Sequence, residues 1–341
     1  MSQNLSSLDS IEAIHDIIHI YGGLNGHMTY VPLSSFDPLF FIHHVSMDRL
    51  IAMWQVLNPT AWIVPMPAGE TSYTTLRGTI QTSSTPLTPF YIFEDGTFWD
   101  SDMARYTTTF GYAYADTDPT HVRGESHAAS LNRKITDWYG GSSASRLVAA
   151  GSRSSTSSSR PWTADGRMPL LKASKSKSKQ KVSNGPLRNA ITDDGHYTEW
   201  MVNVLVASGA LDGSFSIHFY LGEMPPGCRR WDKPNTVGSV DFFTMGGMSG
   251  HHRSKVSGSL PLTSALVEAF GEGPHHLTPD AVVPYLRETL QYRVCKGDRT
   301  EADRSSVEGL HIEVSSADVE LPRSEAELPR WGAPVARFEV V

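Results

Sequence analysis

The sequence predicts an α+β chain, with a helical, histidine-bearing N-terminal part and a β-rich C-terminal domain. Three observations support this. Apolar residues recur at helical spacing in 9–21 and 38–57, whereas 201–206 and 214–220 run or alternate as strands do. A Ser-, Gly- and Lys-rich stretch separates the two kinds of pattern. Five of the 14 histidines fall between residues 15 and 44.

The first helix reads DSIEAIHDIIHIY over 9–21. Asp9 or Ser10 can cap it and Gly22-Gly23 can end it. Ile11, Ile14 and Ile18 share one face and are expected to meet a core. His15 and His19 lie four apart, so their rings stand one turn apart on one face and can reach a single ion. A second helix is expected from Pro38, capped by Asp37, to the Asn58-Pro59 stop, with Met47, Leu50, Ile51 and Trp54 as its apolar stripe. Phe40 and Phe41 are expected in the core. A histidine of this helix completes a three-imidazole cup with His15 and His19. Neutral imidazoles without a carboxylate suit copper or zinc. A zinc hydrolase is one alternative, because HDIIH imitates the HExxH helix with Asp16 in the glutamate position.

Gly140 to Arg160 and the run KASKSKSKQK over 172–181 hold too little apolar surface to offset ordering entropy. The expected organisation is therefore 1–120 as the helical part, 121–195 as a largely disordered linker, and 196–341 as the β-rich domain. Strands are expected at Met201–Val206, Ser214–Tyr220, Gln291–Val294 and Gly309–Val314, with a helix opening at Thr278-Pro279. The segment 214–220 alternates apolar with polar residues.

Composition sets outer bounds. The 341 residues include 36 acidic and 29 basic side chains, for a net charge of -7. At roughly 150 residues per domain, two domains are expected. The acidic balance argues against a general nucleic-acid binder. No apolar run of about 18 residues exists, so no membrane span is expected. Met1 to Ser10 carries no signal-peptide pattern, which leads to an expectation of cytoplasmic residence. Two cysteines, Cys228 and Cys295, exclude a disulfide scaffold and leave a single pairing open.

The strings HDIIH, GHM and FDPLFFIHHVSMDRLIAMWQVLNP together resemble the second copper-binding half of the tyrosinases and polyphenol oxidases, type-3 copper proteins, in their fungal form. Phe110-Gly111-Tyr112-Ala113-Tyr114 resembles the Tyr-x-Tyr motif that closes the fungal core. Tyr197 to Trp200, Gly213 to Gly222 and Leu277 to Val294 resemble the fungal C-terminal domain. The resemblance implies a partial four-helix-bundle copper core under a β-rich covering domain. It implies oxidation of monophenols and o-diphenols to o-quinones by dioxygen, as in melanin formation. It assigns copper to His15, His19 and His44, and places His43, Asp37 and Arg49 as supports behind them. Asp16 would handle a water or proton, and His27 and Met28 would stand at the substrate entrance.

In the family a side chain of the C-terminal domain plugs the site until proteolysis in the linker. Phe242, Phe243 and the region of Cys228 are the candidates here. Only 14 residues precede His15, none of them histidine, and the family's three further copper ligands normally lie there. His121, His127, His251-His252 and His275-His276 are read as surface or loop residues. The expectation is therefore one copper at most and impaired activity, with a non-catalytic single-copper fragment as the alternative. Apolar faces around Ile14, Ile18, Met47 and Trp54 would then lack a partner, and the chain is expected to aggregate or to lean on its C-terminal domain.

Overall fold

The computed structural model describes residues 11–69, 71–122, 124–139, 190–207, 209–228, 235–244, 255–270, 277–324 and 326–340. The histidines at 251, 252, 275 and 276 lie outside the described residues, as does the side chain of His121. The chain is α+β, with a helical N-terminal part and two antiparallel sheets after residue 190.

Helix α1 spans Ile11–Gly23 and α2 spans Pro38–Leu57. The Asp37 side chain accepts from the backbone N–H of Leu39 at 2.9 Å, and Pro38 occupies the first turn. At the other end the Asn58 amide donates to the Trp54 carbonyl at 3.0 Å. The close of α1 depends on Gly23. A Cβ there would lie 2.3 Å from Thr29 Oγ1 and 2.5 Å from Thr29 N, so only glycine lets the 3₁₀ turn His27–Thr29 fold back on the helix. Leu24 and Asn25 then take positive φ angles of 47° and 68° to complete the reversal.

Helix α3, His127–Tyr139, lies inside the span read as linker and corrects its start. The helix packs on α2 through Asp116, which Arg49 grips with Nε at 2.9 Å and with a second, shorter guanidinium contact. Lys134 stands 3.6 Å from the same carboxylate, and the Arg49 guanidinium lies 5.0 Å from the Trp138 ring centroid. Leu131 is the buried apolar residue of α3. Residues 140–189, the main part of the expected linker, lie outside the described residues.

Two sheets follow. One runs in the order β10-β9-β3-β6, with β11 also paired to β9: β3 is His196–Ala207, β6 Lys255–Pro261, β9 His311–Glu320, β10 Arg330–Trp331 and β11 Val335–Glu339. The other runs β5-β4-β7-β8: β4 is Phe215–Leu221, β5 Thr236–Phe242, β7 Leu290–Lys296 and β8 Glu301–Ala302. In the N-terminal part β1, Met66–Pro67, pairs with β2, Ile80–Gln81. Trp200, Val202 and Val204 from β3 share one core with Phe215, Ile217 and Phe219 from β4. Helices α4, Thr263–Phe270, and α5, Pro279–Thr289, add Leu266, Val282 and Leu286 to it.

The alternation of 214–220 suggested a strand with one wet face, yet every residue of β4 is buried. Phe215, Ile217 and Phe219 face the core, while the polar face of Ser216 and His218 lies under α1. That seam is polar. The Tyr21 hydroxyl of α1 hydrogen-bonds Ser239 Oγ at 3.0 Å, and Ser239 Oγ donates to Asp241 at 2.8 Å. Ser216 donates to the other Asp241 oxygen.

Burial pushes the Asp241 carboxyl up to about 6. The folded chain therefore holds this proton more tightly than the unfolded one, and the stability linked to it is present below the ordinary value of 3.8 and lost as pH rises through 6. Asp241→Asn is expected to gain stability relative to the parent between pH 4 and pH 7. Melting temperatures at the two pH values check this, and a pH-independent difference would contradict it.

Periodicity alone suggested a core for the apolar faces of α1 and α2, but Ile14, Ile18 and Trp54 stand uncovered, as expected of faces without a partner, and Phe41, expected in the core, is exposed too. Ile14 is 48% exposed, Trp54 45% and Phe41 60%. Ile11 and Ile18 are exposed as well, and Phe40 and Met47 are half-buried. Among the described residues no helix is long and apolar enough to cross a membrane.

Candidate metal centre

Helical spacing puts His15 and His19 on one face of α1, and α2 brings His43 and His44 against them. His19 Nε2 lies 3.1 Å from His15 Nε2 and 3.3 Å from His44 Nε2. The ligand atoms of His15, His19, His43 and His44 all fall within 4.8 Å of one another. His19 and His43 are buried, and His15 and His44 are half-buried.

The tautomers follow from the partners. His19 Nδ1–H donates to the Met28 carbonyl at 3.0 Å, so Nε2 of that ring carries a lone pair. His15 Nδ1–H donates to Asp16 Oδ1 at 3.0 Å, which leaves its Nε2 free in the same way. Burial, then neighbouring rings, pushes His19 and His43 down to about 4 and lowers His44 as well. The hydrogen bond to Asp16 raises His15. Lone pairs converging at this distance repel unless a proton or a metal cation lies between them. A metal–nitrogen bond of about 2.0 Å with tetrahedral angles sets ligand nitrogens about 3.3 Å apart, which matches the spacing observed. The donor set therefore fits a first-row ion that favours imidazole, such as copper or zinc.

His43, expected behind the ligands, stands within the cluster. Its ring stacks on His15 with centroids 5.1 Å apart, and its Nε2 is buried without a hydrogen-bond partner. The adjacent His43-His44 pair is the sequence signal for this crowding, because consecutive helix positions point about 100° apart and both can border one cup. Phe40 stacks on His44 with centroids 4.0 Å apart.

Met28 is fully buried in this docked arrangement, and its carbonyl orients His19. His27 is exposed, with its ring 6.3 Å from that of Phe36. Asp37 and Arg49 act at a distance from the rings, one capping α2 and the other tying α2 to Asp116. Tyr112 and Tyr114 both donate to Asp48 Oδ2, at 2.8 Å and 2.5 Å, and so close the outer side of α2.

Asp16 is buried and doubly engaged. Its Oδ1 receives His15, and its Oδ2 accepts the backbone N–H of Phe243 at 2.9 Å. The Phe243 ring lies parallel to His19, with centroids 4.0 Å apart and planes at 11°. Of the candidate plugging residues, Phe243 covers the imidazoles. Phe242 points into the core, and Cys228 is bonded to Cys295.

Two family models match. The common central domain of tyrosinase matches residues 1–57, and the tyrosinase C-terminal domain matches 199–314. A tyrosinase of Neurospora crassa is 30% identical over 93% of this chain and 56% of its own length. A tyrosinase of Podospora anserina is 33% identical over 76% of this chain and 50% of its own length. The chain thus spans about half the length of these curated relatives. A structure of recombinant mushroom tyrosinase covers 97% of this chain and 57% of its own chain with a TM-score of 0.67 at 24% identity, a likeness of fold. With an imidazole cup on two helices, and both tyrosinase models matched in their proper order, this chain belongs to the tyrosinase family of copper proteins.

Proposed function

We propose that this chain serves a copper oxidoreductase of the tyrosinase kind, oxidising monophenols and o-diphenols to o-quinones, with copper held by His15, His19 and His44. The observation that carries the reading is the convergence of the His15 and His44 Nε2 atoms on His19 Nε2, at 3.1 Å and 3.3 Å, with two rings fixed in the metal-binding tautomer. Copper held there would supply the electron transfer between a phenol and dioxygen. The chain's own residues prepare the space. The Met28 carbonyl holds His19 in orientation, and Asp16 does the same for His15. Asp16 Oδ2 accepts the Phe243 N–H and is freed once that segment leaves, so its part in proton handling concerns a phenol lying over His15 rather than a metal-bound water.

In the docked arrangement Phe243 stands where a flat phenol would lie against His19. The C-terminal domain thereby keeps the site latent, and cleavage after α3, between 140 and 195, is the step that releases it. This layout disfavours zinc hydrolysis. Asp16 sits at the Nδ1 edge of His15, away from the Nε2 convergence where a metal-bound water would form.

The test is copper per chain and L-DOPA oxidation before and after mild proteolysis. Oxidation that rises on cleavage supports the reading. Copper binding without oxidation supports the non-catalytic single-copper alternative, and no copper uptake would sink both. Phe243→Ala is expected to raise oxidation by the uncleaved, copper-loaded chain at least about tenfold, because a site blocked most of the time binds substrate in proportion to its open fraction. Unchanged oxidation in that variant would mean that the ring is not the barrier.

A further inference from the structure

A cavity of about 620 Å³ opens at the seam between α1 and the β4–β7 sheet, away from the imidazole cup. Its size falls within the range of small-molecule sites, which is about 300–1,000 Å³. The walls divide by chemistry. Ile20 and Leu24 of α1 and the Cys228–Cys295 disulfide supply an apolar side. Lys296, the exposed last residue of β7, and Arg299, on the exposed turn that follows, supply two cations to its lining. Asp298 of that turn also lines it and stays ionised, accepting from the Thr300 N–H at 2.9 Å and the Thr300 hydroxyl at 2.6 Å with Lys296 nearby, so two cations and one anion leave the lining net positive. No ion pair to Arg299 occurs among the described residues.

The interior presents a polar ring to the cavity. His218 of β4 is 6% exposed and lines the cavity, and no hydrogen bond to its ring occurs among the described residues, so its nitrogens are available to a ligand. Burial, then the nearby Arg293, keeps the ring neutral by lowering its pKa to about 4, so it offers one N–H donor and one acceptor.

We propose that this seam cavity binds a small amphipathic carboxylate, with its apolar body against Ile20, Leu24 and the disulfide and its anionic end toward His218, Lys296 and Arg299. A neutral ligand would leave the two cations unused, and a free inorganic anion would leave the apolar side wet. Both walls are needed, so the ligand binds only while α1 and the C-terminal sheet are docked and favours that docked state. The inference is independent of whether the chain oxidises phenols.

Benzoate is a suitable probe on the copper-free full chain, read by calorimetry and by the shift in melting temperature. Saturable binding is expected, with a rise in melting temperature. The double variant Lys296→Gln/Arg299→Gln, at two exposed positions, is expected to weaken binding at least about tenfold, the scale of one lost charged hydrogen bond. His218→Leu is expected to weaken it similarly, and His44→Ala to leave it unchanged. Benzyl alcohol, the neutral analogue, is expected to bind at least about tenfold more weakly than benzoate on the same ground. Absence of saturable binding would overturn the proposal. So would binding lost in His44→Ala and kept in the double variant, which would place benzoate at the imidazoles. Equal affinity for benzyl alcohol would overturn the anionic class.

Discussion

Replacing His19 with alanine is expected to lower copper affinity at least about a hundredfold, since removing even a partner behind a ligand costs about 10–100-fold. His19 is the hub of the cup: its Nε2 faces both His15 and His44, and its other nitrogen is tied to the Met28 carbonyl. Without that ring, His15 and His44 no longer share a common neighbour, and the Phe243 ring loses the surface on which it stacks. Equilibrium dialysis with metal analysis would read the loss directly. His27→Ala, at an exposed ring of the adjoining turn, is the matched control and should keep its copper. Full copper retention by His19→Ala would mean that these imidazoles are not the metal site.

Trp200→Ala is expected to cost about 3–5 kcal/mol of stability, the range for deleting a large buried aromatic. Trp200 is fully buried at the centre of the sheet core. Its indole N–H donates to the Leu277 carbonyl at 3.0 Å, and its backbone N–H donates to Thr263 Oγ1 at 2.8 Å. The substitution leaves a cavity and an unpaired carbonyl together. Against a domain stability of about 5–15 kcal/mol, that loss is enough to populate unfolded chains at moderate denaturant. Urea denaturation followed by tryptophan fluorescence and circular dichroism would measure it. A change below about 1 kcal/mol would show that the core re-packs around the gap, contrary to the close packing expected of interiors.

The two predictions depend on different kinds of information. Helices α1 and α2, the Asp37 cap, the Pro38 start and the shared face of His15 and His19 could all be read from the residues, because each rests on contacts within a turn or two of the chain. So could the strand character of β3, β4, β7 and β9, although β3 proved longer than its apolar run. The facing of an apolar stripe was not readable from periodicity; the expectation that Ile14, Ile18 and Trp54 would lack a partner came from the resemblance to one half of a copper core. Ile14, Ile18 and Trp54 have the spacing of core residues and stand exposed, since periodicity names a face but not what covers it. Helix α3 was missed because its mean hydropathy is low and its burial rests on Leu131 and a contact through Asp116.

What the residues settled alone was therefore the local geometry of the metal cup: two imidazoles one turn apart and a third on a capped neighbouring helix. Tertiary structure decided everything that must travel along the chain to reach it. The amide of Phe243 meets Asp16 from 227 positions away, and the polar face of β4 is buried with α1 lying across it. Cys228 and Cys295 meet across 67 residues. Such pairings depend on which surfaces fold against each other, and backbone periodicity carries no record of that.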